Sequence, residues 1–289
     1  MQKHYEADYQ QLVSQKLSKV SKEQAMAESI GGNFLHFGIF QRELLLQQGL
    51  APHGCLLDIG CGSGRLANAL KNFPNLKYIG LDVVPELLSY AQEITAREDW
   101  QFNKQSGFKL ALENNSVNMV TAFSVFTHLL HEESFAYLAE IRRVLKPGGK
   151  FVFSFLDFAI PEHWAVFTAN VLQIHDHLNQ FIDPRMIEVW CQHLQLDIIG
   201  VFPGNEGHIP LSEPVTDAQG KIHSGLVALG QSVCVIQKPV DSTATIYAML
   251  PEDFDAERYL ALNPDIAAAG IDPRVHFITH GQFENRRLK

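Results

Sequence analysis

Apolar side chains in the first fifty residues recur at the spacing of an amphipathic helix. Between residues 9 and 20 they occupy every third or fourth position, with lysine and glutamine between them. This period predicts a helix over residues 5–30 that ends at Gly31 and Gly32, because glycine readily adopts the left-handed conformation of a helix end. A second helix is predicted over residues 34–48 and closes at Gly49.

From residue 55 the pattern changes to short apolar runs that alternate with helical segments. Apolar runs of this length indicate strands buried on both faces of a sheet. Strands separated by helices predict a parallel sheet with right-handed crossovers. The predicted order is strand 55–59, helix 64–72, strand 77–81, helix 85–96, strands 100–103 and 117–122, helix 132–145 and strand 150–156.

Beyond residue 156 the pattern is looser, and residues 157–181 mix aromatic, histidine and acidic side chains at high density. Asp183 and Pro184 suit the N-cap and first position of a helix over residues 183–194. The remaining predicted segments are a strand at 196–201, a long loop at 203–221, an alternating strand at 225–237, a polar linker from 239, and short helices at 254–270 and 272–281.

Residues 55–64, with the sequence CLLDIGCGSG, carry the strongest functional signal in the chain. A strand, a glycine turn and a helix follow one another there, an arrangement that lets the backbone approach a ligand at the carboxyl end of a sheet. The next predicted strand ends at Asp82, the usual position of a carboxylate that binds the two ribose hydroxyls of a nucleoside.

Composition and charge narrow the class of protein further. A length of 289 residues suits one large domain with a small appendage. The formal charge of −9 disfavours nucleic acid as a partner. The four cysteines form no CxxC pair, which favours buried, reduced thiols. Neither a secretion signal nor a membrane span is evident, so a cytoplasmic protein is expected.

Taken in order, these motifs resemble the class I S-adenosylmethionine (SAM)-dependent methyltransferases, whose first motif commonly reads LDIGCGxG. Residues 115–124 resemble the family's fourth strand and the loop after it. Residues 126–129 and 141–150 resemble the helix and turn that lead into the fifth strand. The resemblance covers roughly residues 50–160, and the GxGxG spacing differs from the GxGxxG of NAD enzymes.

The resemblance implies an α/β fold, a three-layer sandwich with a mostly parallel seven-stranded sheet whose seventh strand runs antiparallel at the sheet edge. It divides the chain into an N-terminal helical cap (1–50), a SAM-binding core (51–238), and a linker with a small helical module (239–289). In similar methyltransferases the helices before the first strand close over the cofactor; covering one face of the sheet is the alternative. The module resembles a motif on bacterial proteins tied to surface polysaccharide, which suggests polysaccharide biosynthesis and a protein partner.

The resemblance also implies the cofactor, SAM, which is released as S-adenosylhomocysteine (SAH). Backbone amides of the glycine turn are expected to bind its methionine carboxylate, Asp58 its ammonium and Asp82 its ribose. The partner of the adenine edge stays open between Ser106 with Gly107, Gln105, and backbone at Phe108. The predicted cofactor-binding residues are Asp58, Gly60, Cys61, Gly62, Gly64, Arg65, Asp82, Val83, Ser106, Gly107, Phe123 and Ser124.

The predicted reaction is methyl transfer to a small-molecule or glycan acceptor, with a hydroxyl as the acceptor group. A hydroxyl must lose its proton, so it needs a general base with a pKa near neutral. His128 follows the fourth strand, and Asp157 and His163 follow the fifth, which makes these three the catalytic candidates. His175 and His177 project to different faces of a helix, so no metal site is expected from them.

Two alternatives remain open at the level of sequence. An NAD(P)-dependent oxidoreductase would use a similar fold, although the glycine spacing argues against it. A non-catalytic SAM-binding scaffold, whose C-terminal helices recruit a partner, would keep the cofactor residues without turnover.

Overall fold

The computed structural model of the chain describes residues 4–172, 178–240, 250–251 and 254–277, with residues 281, 284, 286 and 288. The chain divides into two compact units, Met1–Lys238 and Pro239–Lys289. His175 and His177, considered above as metal ligands, lie outside the described residues. Within those ranges, no helix combines the length and apolar character that crossing a membrane requires.

Three helices precede the first strand: α1 (His4–Leu17), α2 (Lys22–Glu28) and α3 (Phe34–Gln47). The single helix predicted over residues 5–30 is therefore wrong. The backbone of Ser21 is extended, and its hydroxyl oxygen accepts a hydrogen bond from the backbone N–H of Gln24 at 3.3 Å. A serine in this position satisfies an N–H at the start of a new helix, and so the helical pattern is interrupted there.

The first unit holds these strands: β1 (Cys55–Ile59), β2 (Lys77–Asp82), β3 (Gln101–Lys104), β4 (Val117–Ala122), β5 (Leu145–Phe155), β6 (Asp197–Phe202), β7 (Ile209–Pro210), β8 (Val215–Thr216), β9 (Ile222–His223), β10 (Leu226–Val227) and β11 (Ser232–Gln237). Seven of them form one sheet in the order β3-β2-β1-β4-β5-β11-β6. Every pair from β3 to β5 is parallel, and β11 runs antiparallel to both of its neighbours. The predicted mostly parallel, seven-stranded sheet is confirmed.

The last strand of the sheet lies elsewhere than predicted. It begins at Ser232 instead of residue 225, and it is inserted between β5 and β6, so that β6 forms the sheet edge. Leu226 and Val227 pair with β7 in a separate two-stranded sheet. The segment predicted as a long loop thus contributes to two small antiparallel pairs, β7 with β10 and β8 with β9.

Helices cover both faces of the large sheet: α4 (Arg65–Leu70), α5 (Pro85–Thr95), α6 (His131–Val144), α7 (Pro161–Leu172) and α8 (Pro184–Leu194). A short 3₁₀ turn, Phe126–His128, follows β4. Asp183 caps α8 as predicted, since its carboxylate accepts the backbone N–H of Arg185 at 2.9 Å. Helix α7 lies in the segment to which the sequence pattern assigned no element.

Neighbouring residues of β1 belong to cores on opposite faces of the sheet. Leu57 packs with Val120 and Phe153 in one cluster, whereas Leu56 packs with Tyr78 and Met119 in the other. All six side chains are almost fully buried. Because alternate strand residues point to opposite faces, a strand buried on both sides shows a continuous apolar run, as residues 55–59 do.

The second unit contains three short helices: α9 (Ala256–Leu262), α10 (Pro264–Ala268) and α11 (Pro273–His276). The helix predicted over residues 254–270 is interrupted, because Asn263 ends α9 and Pro264 starts α10. Tyr259 is fully buried, and its hydroxyl lies 3.0 Å from Nδ1 of His276.

Candidate active site

The glycine turn after β1 is shaped by contacts inside the protein. Gly62 and Gly64 have φ angles of +55° and +85°, a region that disfavours side chains. A Cβ on Gly62 would lie 2.7 Å from the side chain of Ile30. One on Gly64 would lie 2.8 Å from Cβ of Ala91, where α4 packs against α5. These two glycines therefore let the turn fit between its neighbours.

Four backbone amides of this turn donate hydrogen bonds within the protein. The N–H groups of Gly60 and Cys61 donate to the carbonyl of Leu81 at 2.7 and 3.0 Å. The N–H of Gly62 donates to the Asp82 carboxylate at 2.9 Å, and that of Gly64 to the carbonyl of Cys61 at 3.1 Å. The turn is thereby fixed to the end of β2. The carboxylate of a bound amino acid would need donors other than these four.

Asp82 ends β2 and is held by two backbone amides. One carboxylate oxygen accepts from Gly62 and the other from Val84, at 2.9 and 3.0 Å. Burial raises the pKa of Asp82, and these amides oppose the rise. Each carboxylate oxygen can accept about two hydrogen bonds, so both can also accept from a vicinal diol.

Asp58 lies on β1 beside Asp82 and is only 3% exposed. Its carboxylate accepts a hydrogen bond from the Tyr78 hydroxyl at 2.5 Å. Burial raises the pKa of Asp58 to about 7, and the nearby Asp82 adds to the rise. A ligand cation placed here would favour the ionised carboxylate.

A cavity of about 650 Å³ lies at the carboxyl ends of β1, β2 and β4. Its volume is within the range typical of sites for cofactor-sized molecules. The predicted site residues that line it are Asp58, Gly60, Cys61, Gly62, Arg65, Asp82, Val83, Phe123, Ser124 and His128. Gln105 also lines it, whereas Gly64, Ser106 and Gly107 are absent from its wall.

Helix α1 forms one side of this cavity. Tyr5, Tyr9 and Leu12 line it from that helix, and Lys16 pairs with Glu28 of α2 at 2.9 Å on the same wall. Of the two interpretations of the N-terminal helices, closure over the cavity fits this arrangement. The helical cap is thus part of the site.

Arg65, at the start of α4, places a cation on the cavity wall. Its guanidinium donates to the carbonyls of Ile30 and Gly32, the latter at 2.6 Å. Its Nε is buried and has no hydrogen-bond partner, and no carboxylate pairs with the side chain among the described residues. Burial lowers the pKa of Arg65 to about 10, so it remains protonated at neutral pH. A buried, unpaired cation is costly unless a ligand anion compensates it.

A second cavity of about 200 Å³ adjoins the first. Arg65, Phe123, Ser124 and Gln231 line both cavities, and Ser154 lines the smaller one. The Ser154 hydroxyl donates to the side-chain carbonyl of Gln231 at 2.6 Å and accepts the backbone N–H of Ser124 at 2.8 Å. Apart from Arg65, the wall is uncharged: Ile30, Gly31, Gly32, Asn33, Phe37, Gln41, Phe123, Ser124, Ser154, Leu229 and Gln231.

The three catalytic candidates occupy different surroundings. His128 lines the larger cavity, its ring lies edge-on to Tyr9 at 5.3 Å between centroids, and Nδ1 donates to the carbonyl of Leu178 at 2.7 Å. Because a carbonyl only accepts, the proton is on Nδ1, and Nε2 carries the lone pair in the neutral ring.

His163 and Asp157 line neither of the two cavities. His163 is 3% exposed; its Nε2 donates to the carbonyl of Gly230 at 2.8 Å, and Nδ1 accepts the backbone N–H of Asp157 at 2.9 Å. The Asp157 carboxylate accepts the backbone N–H of Ala159. His163 therefore ties α7 to the loop before Gln231.

Sequence reasoning missed Tyr78, Ser154 and Gln231. Tyr78 lies within the buried strand β2, and no sequence pattern around it indicates that its hydroxyl binds Asp58. Ser154 and Gln231 are far apart in the chain and meet only because β11 pairs with β5, Val233 opposite Ser154. A strand order with β11 beside β5 would have placed them together.

The known proteins that this chain resembles in sequence are methyltransferases. The "Methyltransferase domain" family matches residues 57–153. The chain is 33% identical over 148 residues to the malonyl-[acyl-carrier protein] O-methyltransferase of Hahella chejuensis, covering 48% of this chain and 50% of that protein. It is 27% identical over 175 residues to the sterol 24-C-methyltransferase of Schizosaccharomyces pombe, covering 57% and 43%.

Solved structures share the fold. A chain from the Haloferax volcanii complex that contains the Trm112 methyltransferase activator gives a TM-score of 0.56 at 17% identity, covering 80% of this chain and 97% of that chain. A SAM-dependent methyltransferase from Methanosarcina mazei gives 0.51 at 15% identity, covering 68% and 98%.

The chain matches a methyltransferase domain over residues 57–153 and shares its fold with a solved SAM-dependent methyltransferase, so SAM is the expected cofactor. It spans about half the length of the curated relatives it matches. The residues of the larger cavity fit this cofactor, because they offer acceptors for a diol and an ammonium and an unpaired cation for a carboxylate.

Proposed function

We propose that the chain transfers a methyl group from SAM to a hydroxyl of a small molecule or glycan. The observation that carries the proposal is the pair of adjoining cavities. One has the polar groups that SAM needs, and the other has an almost uncharged polar wall.

Within the larger cavity, Asp82 binds both ribose hydroxyls and Asp58 binds the ammonium of the methionine portion. Arg65 binds the methionine carboxylate, because four amides of the glycine turn donate within the protein and the Nε of Arg65 has no partner in the described part of the chain. Gln105 binds the adenine edge: its amide nitrogen donates to the carbonyls of Gly107 and Lys109, which leaves its oxygen as an acceptor for an amine. Val83 covers the base.

The smaller cavity suits a neutral, hydroxylated acceptor. Ser124, Ser154 and Gln231 supply hydrogen-bonding groups, while Phe37 and Phe123 add aromatic surface. Arg65 is the charged residue on that wall, and in this proposal it binds the carboxylate of the cofactor. The described part of the wall therefore offers no free ionic partner to a charged acceptor.

SAM, when bound, supplies an electrophilic methyl group on a sulfonium. The protein's part is to align the acceptor oxygen and to receive its proton. His128 is the proposed base, since Nε2 of its neutral ring can accept a proton while Nδ1–H stays on Leu178. Burial of His163 between two backbone groups favours a positioning role for that residue.

Calorimetric titration of the full chain with SAH and with NAD tests the cofactor, and labelled SAM with hydroxyl, amine and nucleic-acid acceptors tests the reaction. We expect SAH binding, no NAD binding, and label on hydroxyl compounds. His128→Asn should lower kcat about 100-fold and keep SAH affinity, whereas His193→Asn, an exposed control on α8, should change neither. Transfer only to amines or nucleic acid would exclude the hydroxyl assignment, and binding without any turnover would favour the non-catalytic scaffold.

A further inference from the structure

Three potential metal ligands meet where the β8–β9 hairpin packs on α3. His36 comes from the helix, and Asp217 and His223 come from the hairpin. One ligand atom from each side chain lies within 4.8 Å of the others. Nε2 of His223 is 2.9 Å from a carboxylate oxygen of Asp217. The residues do not belong to the wall of either cavity described above.

His36 is a buried histidine. It is 5% exposed, and its ring packs against Phe37, Phe40 and the ring of His223.

The other two side chains are already oriented. One oxygen of Asp217 accepts the backbone N–H groups of Gln219 and Lys221 at 3.0 and 2.9 Å, and its second oxygen faces His223. The side chains of His223 and Asp217 are 18% and 9% exposed. Phe40 packs edge-on against the His223 ring at 5.4 Å between centroids. Ligand orientation by hydrogen bonds and a partly apolar shell are common features of metal sites.

The separation of the two rings is close to that of two imidazoles on one ion. Their centroids are 5.5 Å apart and their planes differ by 8°. Two imidazoles on one tetrahedral zinc, each with a Zn–N distance of about 2.0–2.1 Å, have centroids about 5 Å apart. The three ligand atoms, which lie within 4.8 Å of one another, would have to draw together to about 3.3 Å around a tetrahedral ion.

We propose that His36, Asp217 and His223 bind a divalent transition-metal ion, zinc in the first place. Two imidazoles and a carboxylate are a known zinc ligand set, and harder ions such as magnesium prefer oxygen ligands alone. A water molecule would complete the tetrahedron. The ion would fasten the hairpin to α3, the helix that supplies Phe37 and Gln41 to the smaller cavity.

The test uses the full chain without a polyhistidine tag, stripped with chelator and titrated with zinc chloride or magnesium chloride by calorimetry. We expect saturable binding of one zinc ion per chain and no binding of magnesium. His36→Asn and Asp217→Asn should each weaken zinc binding at least about 100-fold. His53→Asn removes an exposed histidine outside the cluster and should leave the affinity unchanged.

Two further measurements keep the proposal testable if a variant folds poorly. Cobalt substitution of the wild-type chain should give the visible absorption of a tetrahedral site, and zinc should raise its Tm. Asp217→Asn lies on the hairpin, so its circular dichroism spectrum should match that of the wild type. Absence of saturable zinc uptake by the wild type, or equal loss of uptake in His53→Asn, would overturn the proposal. None of these readouts depends on methyl transfer.

Discussion

The two adjoining cavities are built in different ways. At the cofactor side, the polar groups come from the ends of two neighbouring strands, β1 and β2, and main-chain hydrogen bonds hold them: Gly60 and Cys61 on Leu81, and Gly62 on Asp82. At the proposed acceptor side, Ser124, Ser154 and Gln231 come from three separate segments, and two of the three contacts that join them run between side chains.

This difference explains why the cofactor side can be predicted from the sequence and the acceptor side cannot. Main-chain geometry requires particular residue types at particular spacings, so the glycine turn and Asp82 carry a recognisable signature. Contacts between side chains can be replaced by other polar pairs on the same backbone. The proposed cofactor site therefore depends on the backbone of the fold, whereas the proposed acceptor site depends on a few exchangeable side chains.

The largest expected effect is at Asp82. Asp82→Asn keeps the size of the side chain but removes one of the two acceptor oxygens that the ribose diol needs. Losing hydrogen bonds to a charged group should lower SAH affinity at least about 100-fold, roughly 3 kcal/mol. Calorimetry with SAH measures it. Glu86→Gln, an exposed carboxylate in the first turn of α5, is the control and should change affinity less than about twofold.

An unchanged affinity in Asp82→Asn would show that the ribose is bound elsewhere and would remove the main reason for treating the cofactor side as a backbone-defined site.

The second prediction concerns folding stability and distinguishes the cost of a steric contact at the glycine turn from the cost of its backbone conformation. Gly64 and Gly220 have nearly equal φ angles, +85° and +83°, but a Cβ would meet Ala91 only at Gly64. Gly220→Ala should cost about 1–2 kcal/mol for its left-handed conformation. Gly64→Ala should cost about 2 kcal/mol more, because α4 and α5 must move apart. Urea unfolding followed by circular dichroism measures both, and equal losses would show that the contact with α5 is unimportant.

Much of the cofactor side could be predicted from the sequence. The strand–turn–helix order around Gly60 and the end of β2 at Asp82 follow from local patterns, and both residues lie on the cavity. The role of the turn's amides could not be predicted, since it depends on how Leu81 of the next strand meets the turn.

The acceptor side was mostly beyond prediction, for a physical reason. Its residues meet through the insertion of β11 between β5 and β6, and a one-dimensional pattern does not specify strand order. His163 illustrates the point: its position after β5 suggests catalysis, but burial against Gly230 removes it from the cavities. The proposed metal ligands His36 and Asp217 likewise have no spacing signal, because a helix and a distant hairpin contribute them.

A smaller effect concerns the pH dependence of cofactor binding. The pKa of Asp58 is about 7 because the carboxyl is buried, and the cofactor's ammonium binds the ionised form. Below pH 7 the free protein must lose a proton to bind, so SAH affinity should fall about tenfold per pH unit and level off above pH 7. Calorimetry across pH 5–8 measures this. 5′-Methylthioadenosine lacks the amino-acid portion and serves as the control with little pH dependence.

The raised pKa of Asp58 also makes the folding stability depend on pH. Because the folded-state pKa of Asp58 is raised, its favourable contribution to folding is present at low pH and is lost as pH rises through about 7. Relative to the wild type, Asp58→Asn should therefore increase the free energy of unfolding of the cofactor-free protein, and the increase should be larger at pH 8 than at pH 5. The same substitution should weaken SAH binding. If Asp58→Asn were less stable than the wild type at pH 8, the proposed cost of burying this carboxylate would be contradicted.

The smallest effect is expected on the acceptor side, at Ser154. Ser154→Ala removes the hydroxyl that links Ser124 to Gln231 and lines only the smaller cavity. One neutral hydrogen bond contributes about 1 kcal/mol, so KM for the hydroxyl acceptor should rise about fivefold while SAH affinity stays constant. Thr121→Val is the matched control: its buried hydroxyl donates to the carbonyl of Val152 at 3.0 Å, away from both cavities. It should lower stability and leave KM unchanged. If Ser154→Ala instead weakened SAH binding and spared KM, the smaller cavity would belong to the cofactor, and the acceptor would have to enter from the side of His128.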